Sequence, residues 1–326
     1  MKFPSQRKLL YYDDSISNDT LGLISSGGTG SGAICLPKDL SIVNRRGYAS
    51  TTRKGVPLVY RVKVDLYSQA LDATGPSAAV GSDFQTTLKI DGCQNNWVMR
   101  NAAVKMHAAR ENQFKLGGIK KSQRGAYSHE IRYGYDAHNQ TWLTPIDGDG
   151  NAFTGGTWDL TTLSTHDDDD VKITLCGAAT TEESSLSVTQ VNLPFAYLSS
   201  RANMNADTNL ENSVTPTKYS IINSMLTPGE VLFSTRDQLV EEARDAQDDV
   251  PYDVFAVDDV NNDITEPMEL CRIVSGLGSS LHSSAIIDVP FGIMSMKASH
   301  FDAADTNTTH GIMVALEVLD IYEMEG

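Results

Sequence analysis

Asp147, Asp149 and Asn151 stand at alternate positions in the stretch LTPIDGDGNAFTGGTWD, the spacing at which a calcium loop places its first three oxygen ligands. Such a loop also needs glycine at its sixth position and a bidentate glutamate at its twelfth. Counted from Asp147, those positions hold Ala152 and Trp158, and no helical pattern flanks them. Gly148 and Gly150 suit the left-handed conformations of a tight turn. The stretch therefore reads as a hairpin tip, with weak calcium binding as the alternative. A second candidate is STHDDDDVKI, where His166 precedes Asp167, Asp168, Asp169 and Asp170. Adjacent side chains of an extended chain point to opposite sides, so these carboxylates cannot all converge on one ion. A solvated loop is expected there, and no cofactor beyond that weak calcium.

Three other chemistries are weighed and set aside. SSGGTGSGA places Gly28, Gly30 and Ala33 at the spacing of a dinucleotide fingerprint, which requires a helix directly after the glycines to receive the pyrophosphate. ICLPKDL follows instead, and Pro37 argues against a helix continuing there. No G-x-S-x-G elbow and no H-E-x-x-H pair occurs, and the seven histidines are scattered. His107 and His129 read as structural. An enzymatic role is not expected.

The elements that must carry these residues read as mostly β. In PLVYRVKVDLY, Tyr60, Val62, Val64 and Leu66 share one face while Arg61, Lys63 and Asp65 take the other, the mark of a half-buried antiparallel strand. FQTTLKI, YSHEIRYGY, VKITLC, SLSVTQVNLPFAYL, YDVFAV, PMELCRIVSG, SSAIIDVPFGIMSMKA and GIMVALEVLDIY continue the series, with Pro194 expected at a bend or edge. Two stretches read as helices. NNWVMRNAAVKMHAARENQF offers Asn95 or Asn96 as cap and a stripe of Val98, Ala102, Met106 and Ala109. STRDQLVEEARDAQDD offers Ser234 as cap. Short strands with a few helices and no βαβ alternation predict an antiparallel sandwich. The closing stretches Val289–Met296 and Ile312–Val318 are expected to be neighbouring strands of one sheet.

The chain has 326 residues, 40% hydrophobic and 21% charged, enough for a substantial core. No apolar run is long enough for a membrane span or a signal peptide. Cys35, Cys93, Cys176 and Cys271 form no C-x-x-C pair and are expected as buried free thiols of a protein folded in a reducing cytoplasm. The net charge of −16 is unevenly spread: residues 1–135 carry 19 Lys and Arg against 10 Asp and Glu, net +9, whereas residues 136–326 carry 7 against 32, net −25. Such polarity suits a chain that meets copies of itself or a charged partner. Arg45, Arg46, Arg53 and Lys54 on the basic side and Asp167–Asp170 on the acidic side are the expected assembly contacts. The expected division is an extended arm over 1–50, a first sandwich over 51–200 and a second over 201–326, with one elaborated sandwich over 51–326 as the alternative.

NRRGYASTTRKGVPLVYRVKVDL leading into a strand, the Trp97–Phe114 helix between strands, and the closing pair IIDVPFGIMSMKA and GIMVALEVLDIYEM resemble, over residues 44–326, the jelly-roll major capsid proteins of small icosahedral viruses and tailless phages. The lack of a dense Arg/Lys arm fits the double-jelly-roll branch better. The resemblance implies antiparallel jelly-roll sandwiches, two of them, with a few short helices. It implies trimers that join shell neighbours, other virion proteins as partners, an internal membrane as a further candidate partner, only weak contact with nucleic acid, and location in the virion. Two other classes stay open. A carbohydrate-binding or adhesive sandwich would need an aromatic platform, for which Trp142 and Trp158 are the candidates. A barrel enzyme of cupin or lyase type would need converging histidines.

Overall fold

Period-two alternation makes strands with one apolar face, and such strands are stable only when sheets hide those faces against each other. The structure, a computed structural model, describes residues 5–16, 22–23, 32–72, 75–76, 84–125, 127–136, 142–156, 158–164, 170–183, 188–205, 266–276, 282–302 and 309–325. Within them the chain is mainly β. The elements run β1 (Lys8–Ile16), β2 (Gly22–Leu23), β3 (Ala33–Cys35), α1 (Leu36–Asn44), β4 (Leu58–Asp72), β5 (Gly75–Pro76), β6 (Phe84–Gly92), α2 (Trp97–Leu116), β7 (Thr162–Ser164), β8 (Asp170–Thr174), β9 (Thr180–Glu183), β10 (Val188–Asn192), α3 (Leu193–Asn205), β11 (Met268–Gly276), β12 (His282–Pro290), β13 (Ile293–Asp302) and β14 (Thr309–Glu323).

Two antiparallel sheets share one core, as in a β-sandwich. The first runs β1-β14-β4-β12, with β5 on β4; the second runs β11-β6-β13-β2, with β3 also on β13. β2 and β3 lie in line along β13, Leu23 opposite Lys297 and Ala33 opposite Ser295. The inward faces are those the alternation names. Tyr60, Val62, Val64 and Leu66 of β4 meet Ile312, Val314, Leu316 and Val318 of β14, with Leu88, Ile90, Met294 and Met296 from the second sheet. Each such side chain, taken fully out of water, contributes about 1.5–3 kcal/mol.

A second core forms where β6 ends. Asn96 accepts the Met99 N–H through its side chain and caps α2. Val98, Ala102, Met106 and Ala109 then pack with Val171, Ile173, Val191 and Tyr197 from a four-stranded sheet of order β7-β8-β10-β9 and from α3. Phe291, Ile293, Val59 and Met324 from the sandwich join the same cluster. This helical and small-sheet unit is therefore welded to one end of the sandwich.

Several expectations are corrected here. Residues 8–16 are a paired strand, Leu9 opposite Leu316 and Tyr11 opposite Val314, rather than part of an extended arm. β4 and β6 hydrogen-bond to β11, β12, β13 and β14, so one sandwich draws strands from both sides of residue 200. Val289–Met296 turns a corner: β12 and β14 both flank β4, while β13 lies in the other sheet. Pro37 and Pro194 each sit in the first turn of a helix, α1 and α3, where the missing N–H is no loss and the fixed φ helps. Tyr133 and Tyr135 of YSHEIRYGY are buried, but among the described residues the segment's one bridge is the isolated pair Gly134 and Thr174. YDVFAV and the helix expected at Ser234 lie outside the described residues.

Candidate functional site

The alternate acids of 147–151 form a closed turn. Ile146 bridges Ala152, the Asp147 N–H donates to the Asn151 carbonyl at 2.9 Å, and Gly150 takes φ +82°. Asp147 Oδ1 accepts the N–H groups of Asp149 and Asn151 at 2.9 and 2.8 Å. Led by the Asn151 N–H, these bonds hold the Asp147 carboxyl below the usual carboxylate range. One oxygen of the first would-be calcium ligand is thus engaged in shaping the turn, as an aspartate at the head of an Asx turn is. Asp149 and Asn151 are exposed. Among the described residues no group of three or more His, Cys, Asp or Glu is placed to hold a metal. Of the acid run, Asp167, Asp168 and Asp169 lie outside the described residues; Asp170 is exposed at the start of β8, with the Ser164 hydroxyl at 3.3 Å.

The glycines of SSGGTGSGA are likewise outside them, except that Gly32 and Ala33 enter the edge of the second sheet. Strand β3 stands between the glycines and α1. The helix N-terminus is therefore not offered to a ligand at the fingerprint's spacing.

The basic candidates occupy two loops at the end of the sandwich where the second core begins. Arg45 closes α1 in the left-handed conformation, φ 50°, and Arg46 follows it; both are exposed. Arg53 and Lys54 are exposed on the turn before β4, where the Gly55 N–H donates to the Thr52 carbonyl at 2.9 Å. Tertiary packing sets both loops against the second core. A methyl group on Gly47 would lie 2.7 Å from the Tyr127 ring, and one on Gly55 2.4 Å from His107 Cβ. The cations of α2 and of the loop after it divide by position. Arg100 donates to the Met324 carbonyl at 3.1 Å, Arg110 donates to the Glu130 carbonyl, and Arg124 grips both oxygens of Glu111. Those three hold the unit together, whereas Lys115, Lys120 and Lys121 are exposed.

A buried polar group escaped the sequence reasoning. Asp39 of α1 is fully enclosed; Tyr11 of β1 donates to its Oδ2 at 2.6 Å, and Lys38 Nζ lies 3.5 Å from its Oδ1 while donating to the Leu143 carbonyl. Burial pushes the Asp39 carboxyl up to about 6, against the pull of Lys38 and Tyr11. Burial likewise pushes Glu130 up to about 7, against Arg132 and Arg110. In LPKDL the adjacent Lys38 and Asp39 look like a solvated pair, and nothing local tells that α1 is sunk beneath β1.

Trp142 and Trp158 do not form an exposed platform. Both pack against the second core, and Arg132 covers the Trp158 ring at 4.3 Å. His107 is buried in α2, and burial, its largest influence, lowers its pKa. The cysteines are free thiols, Cys35, Cys93 and Cys176 buried and Cys271 half-buried. No family model, no curated protein and no solved structure matches the chain.

Proposed function

We propose that the chain is a shell-forming subunit, the major capsid protein of an icosahedral virus particle, built on a jelly roll. The observation that carries the reading is the strand order. Counting β2 and β3 as one strand and setting aside β5, the sandwich strands in chain order run 1-8-3-6 in one sheet and 5-4-7-2 in the other. Strands 1 and 8, 2 and 7, 3 and 6, and 4 and 5 are therefore neighbours. That is the pattern of one long antiparallel hairpin wound upon itself, the arrangement that capsid and lectin jelly rolls share. On this reading one elaborated jelly roll accounts for the sandwich, and residues 93–267 are an insertion between its fourth and fifth strands.

A jelly roll alone does not choose among its functions. The charge polarity favours assembly, because opposite charges on one chain steer copies together and set their register. Trimers or larger shells follow, with subunit interfaces above about 2,000 Å² in total, the range of obligate contacts. The reading assigns the protein to the virion, gives it no catalytic role, and leaves nucleic acid only weakly bound. Electron microscopy of the purified protein, with light scattering, tests it. Shells, hexagonal arrays or discrete trimers are expected. A strictly monomeric protein at high concentration, with no particles, overturns it.

A further inference from the structure

Exposed lysines at the end of α2 and in the turn after it are interleaved with exposed apolar side chains. Leu116 and Ile119, 58% and 42% exposed, adjoin Lys115, Lys120 and Lys121 along the chain, and Tyr127 is 57% exposed. These three lysines make no salt bridge among the described residues. The surface is preformed. The loop after α2 folds back, with the Ile119 N–H donating to the Phe114 carbonyl at 2.9 Å. Arg124 both pairs with Glu111 and lies 4.2 Å over the Phe114 ring. Tyr127 in turn reaches Gly47, which follows the exposed Arg45 and Arg46.

Exposed apolar side chains interleaved with cations suit a contact surface, which pairs apolar area with a polar rim. On a chain of net charge −16 this face is a local exception, and the matching charge is supplied by the chain's own residues 136–326, at net −25. A twofold axis running through this patch would press it against itself and set like charges face to face. We infer that these lysines and apolar side chains take acidic residues of the 136–326 part of a second copy of the chain in a head-to-tail contact. A head-to-tail contact leaves one half of each contact unused at the ends, so it closes into rings of three or more or extends into a lattice, and does not stop at a twofold dimer. The inference rests on the reading of the chain as a self-assembling subunit and names the surface through which it assembles.

The test uses the full chain carrying Lys115→Glu, Lys120→Glu and Lys121→Glu together, and separately Leu116→Ser with Ile119→Ser. All five positions are exposed, so circular dichroism and the melting temperature should match wild type. Association is followed by sedimentation at 0.05 and 0.5 M salt. Wild type should associate more weakly at high salt, because surface charges are screened there. The charge-reversed protein should lose about tenfold or more of its association constant. Because it retains its acidic residues, it should also cap wild type in a mixture, giving small species in place of large ones. Undiminished assembly by both variants overturns this surface while leaving assembly standing. A monomeric wild type overturns both. Submicromolar binding of wild type to a DNA fragment at 0.15 M salt, lost in the lysine variant while self-association is unchanged, reassigns the face to nucleic acid and overturns the inference.

Discussion

Replacing Gly292 by alanine tests how tightly the corner between the two sheets is built. β12 ends at Pro290 and β13 starts at Ile293, so Phe291 and Gly292 alone carry the chain from one sheet to the other. Both take positive φ, 57° and 67°, and the Gly292 N–H closes the turn on the Val289 carbonyl at 3.1 Å. An alanine Cβ would stand 2.8 Å from Pro37 Cδ and 2.8 and 2.9 Å from Tyr60 Cδ2 and Cε2. Neither neighbour is free to retreat. Pro37 is buried in the first turn of α1, and Tyr60 is fully enclosed with its hydroxyl held by the Ala49 carbonyl at 2.7 Å. A side chain in the left-handed region costs about 1–2 kcal/mol, and forcing a methyl into a packed core adds about 1–3 kcal/mol. Gly292→Ala should therefore lose roughly 2–5 kcal/mol. Gly150 supplies the control, since it has φ +82° with nothing within 4 Å of the added Cβ. Gly150→Ala should lose only the conformational part, about 1–2 kcal/mol. Urea unfolding followed by circular dichroism reads both through their midpoints at constant slope. Equal losses in the two variants would refute the crowding at the corner, and no loss in either would refute the positive-φ argument itself.

Two further outcomes are expected. Asp39 ionises near 3.8 when unfolded and at about 6 when buried, so the folded state holds its proton longer. Stability from this group is complete below pH 3.8 and declines by about 3 kcal/mol as pH rises through about 6. Glu130, raised from 4.5 to about 7, acts the same way. The melting temperature should rise on going from pH 7 to 5, and Asp39→Asn with Glu130→Gln should flatten that rise; a fall, or a slope the variants leave unchanged, contradicts it. At the 147–151 turn, Asp149→Ala should change stability by less than about 0.5 kcal/mol, as exposed substitutions do, and Asp147→Ala should lower the urea midpoint further because two backbone N–H groups lose their acceptor. A large calcium-dependent rise in melting temperature abolished by Asp149→Ala would restore the metal site.

Faces were legible in the sequence and partners were not. Alternation in PLVYRVKVDLY and GIMVALEVLDIY names the buried sides of β4 and β14, and Asn96 with Val98, Ala102, Met106 and Ala109 marks α2, because period and capping are local properties of the chain. The backbone ladder is the same for every strand, so nothing in Leu58–Asp72 says that it will lie between β12 and β14, whose residues come more than 200 positions later. The same limit hid α1 and α3. A proline after a strand-like run is equally compatible with a strand end and a helix start, and burial against β1 and the second core decides for the helix. The exposed basic candidates were visible as residue types, but the packing of Tyr127 on Gly47, next to Arg45 and Arg46, exists only in the fold. Asp39 shows the division most sharply. Its charge is written in the chain, while its enclosure and its tie to Tyr11 exist only once β1 and α1, far apart in their local patterns, close over it.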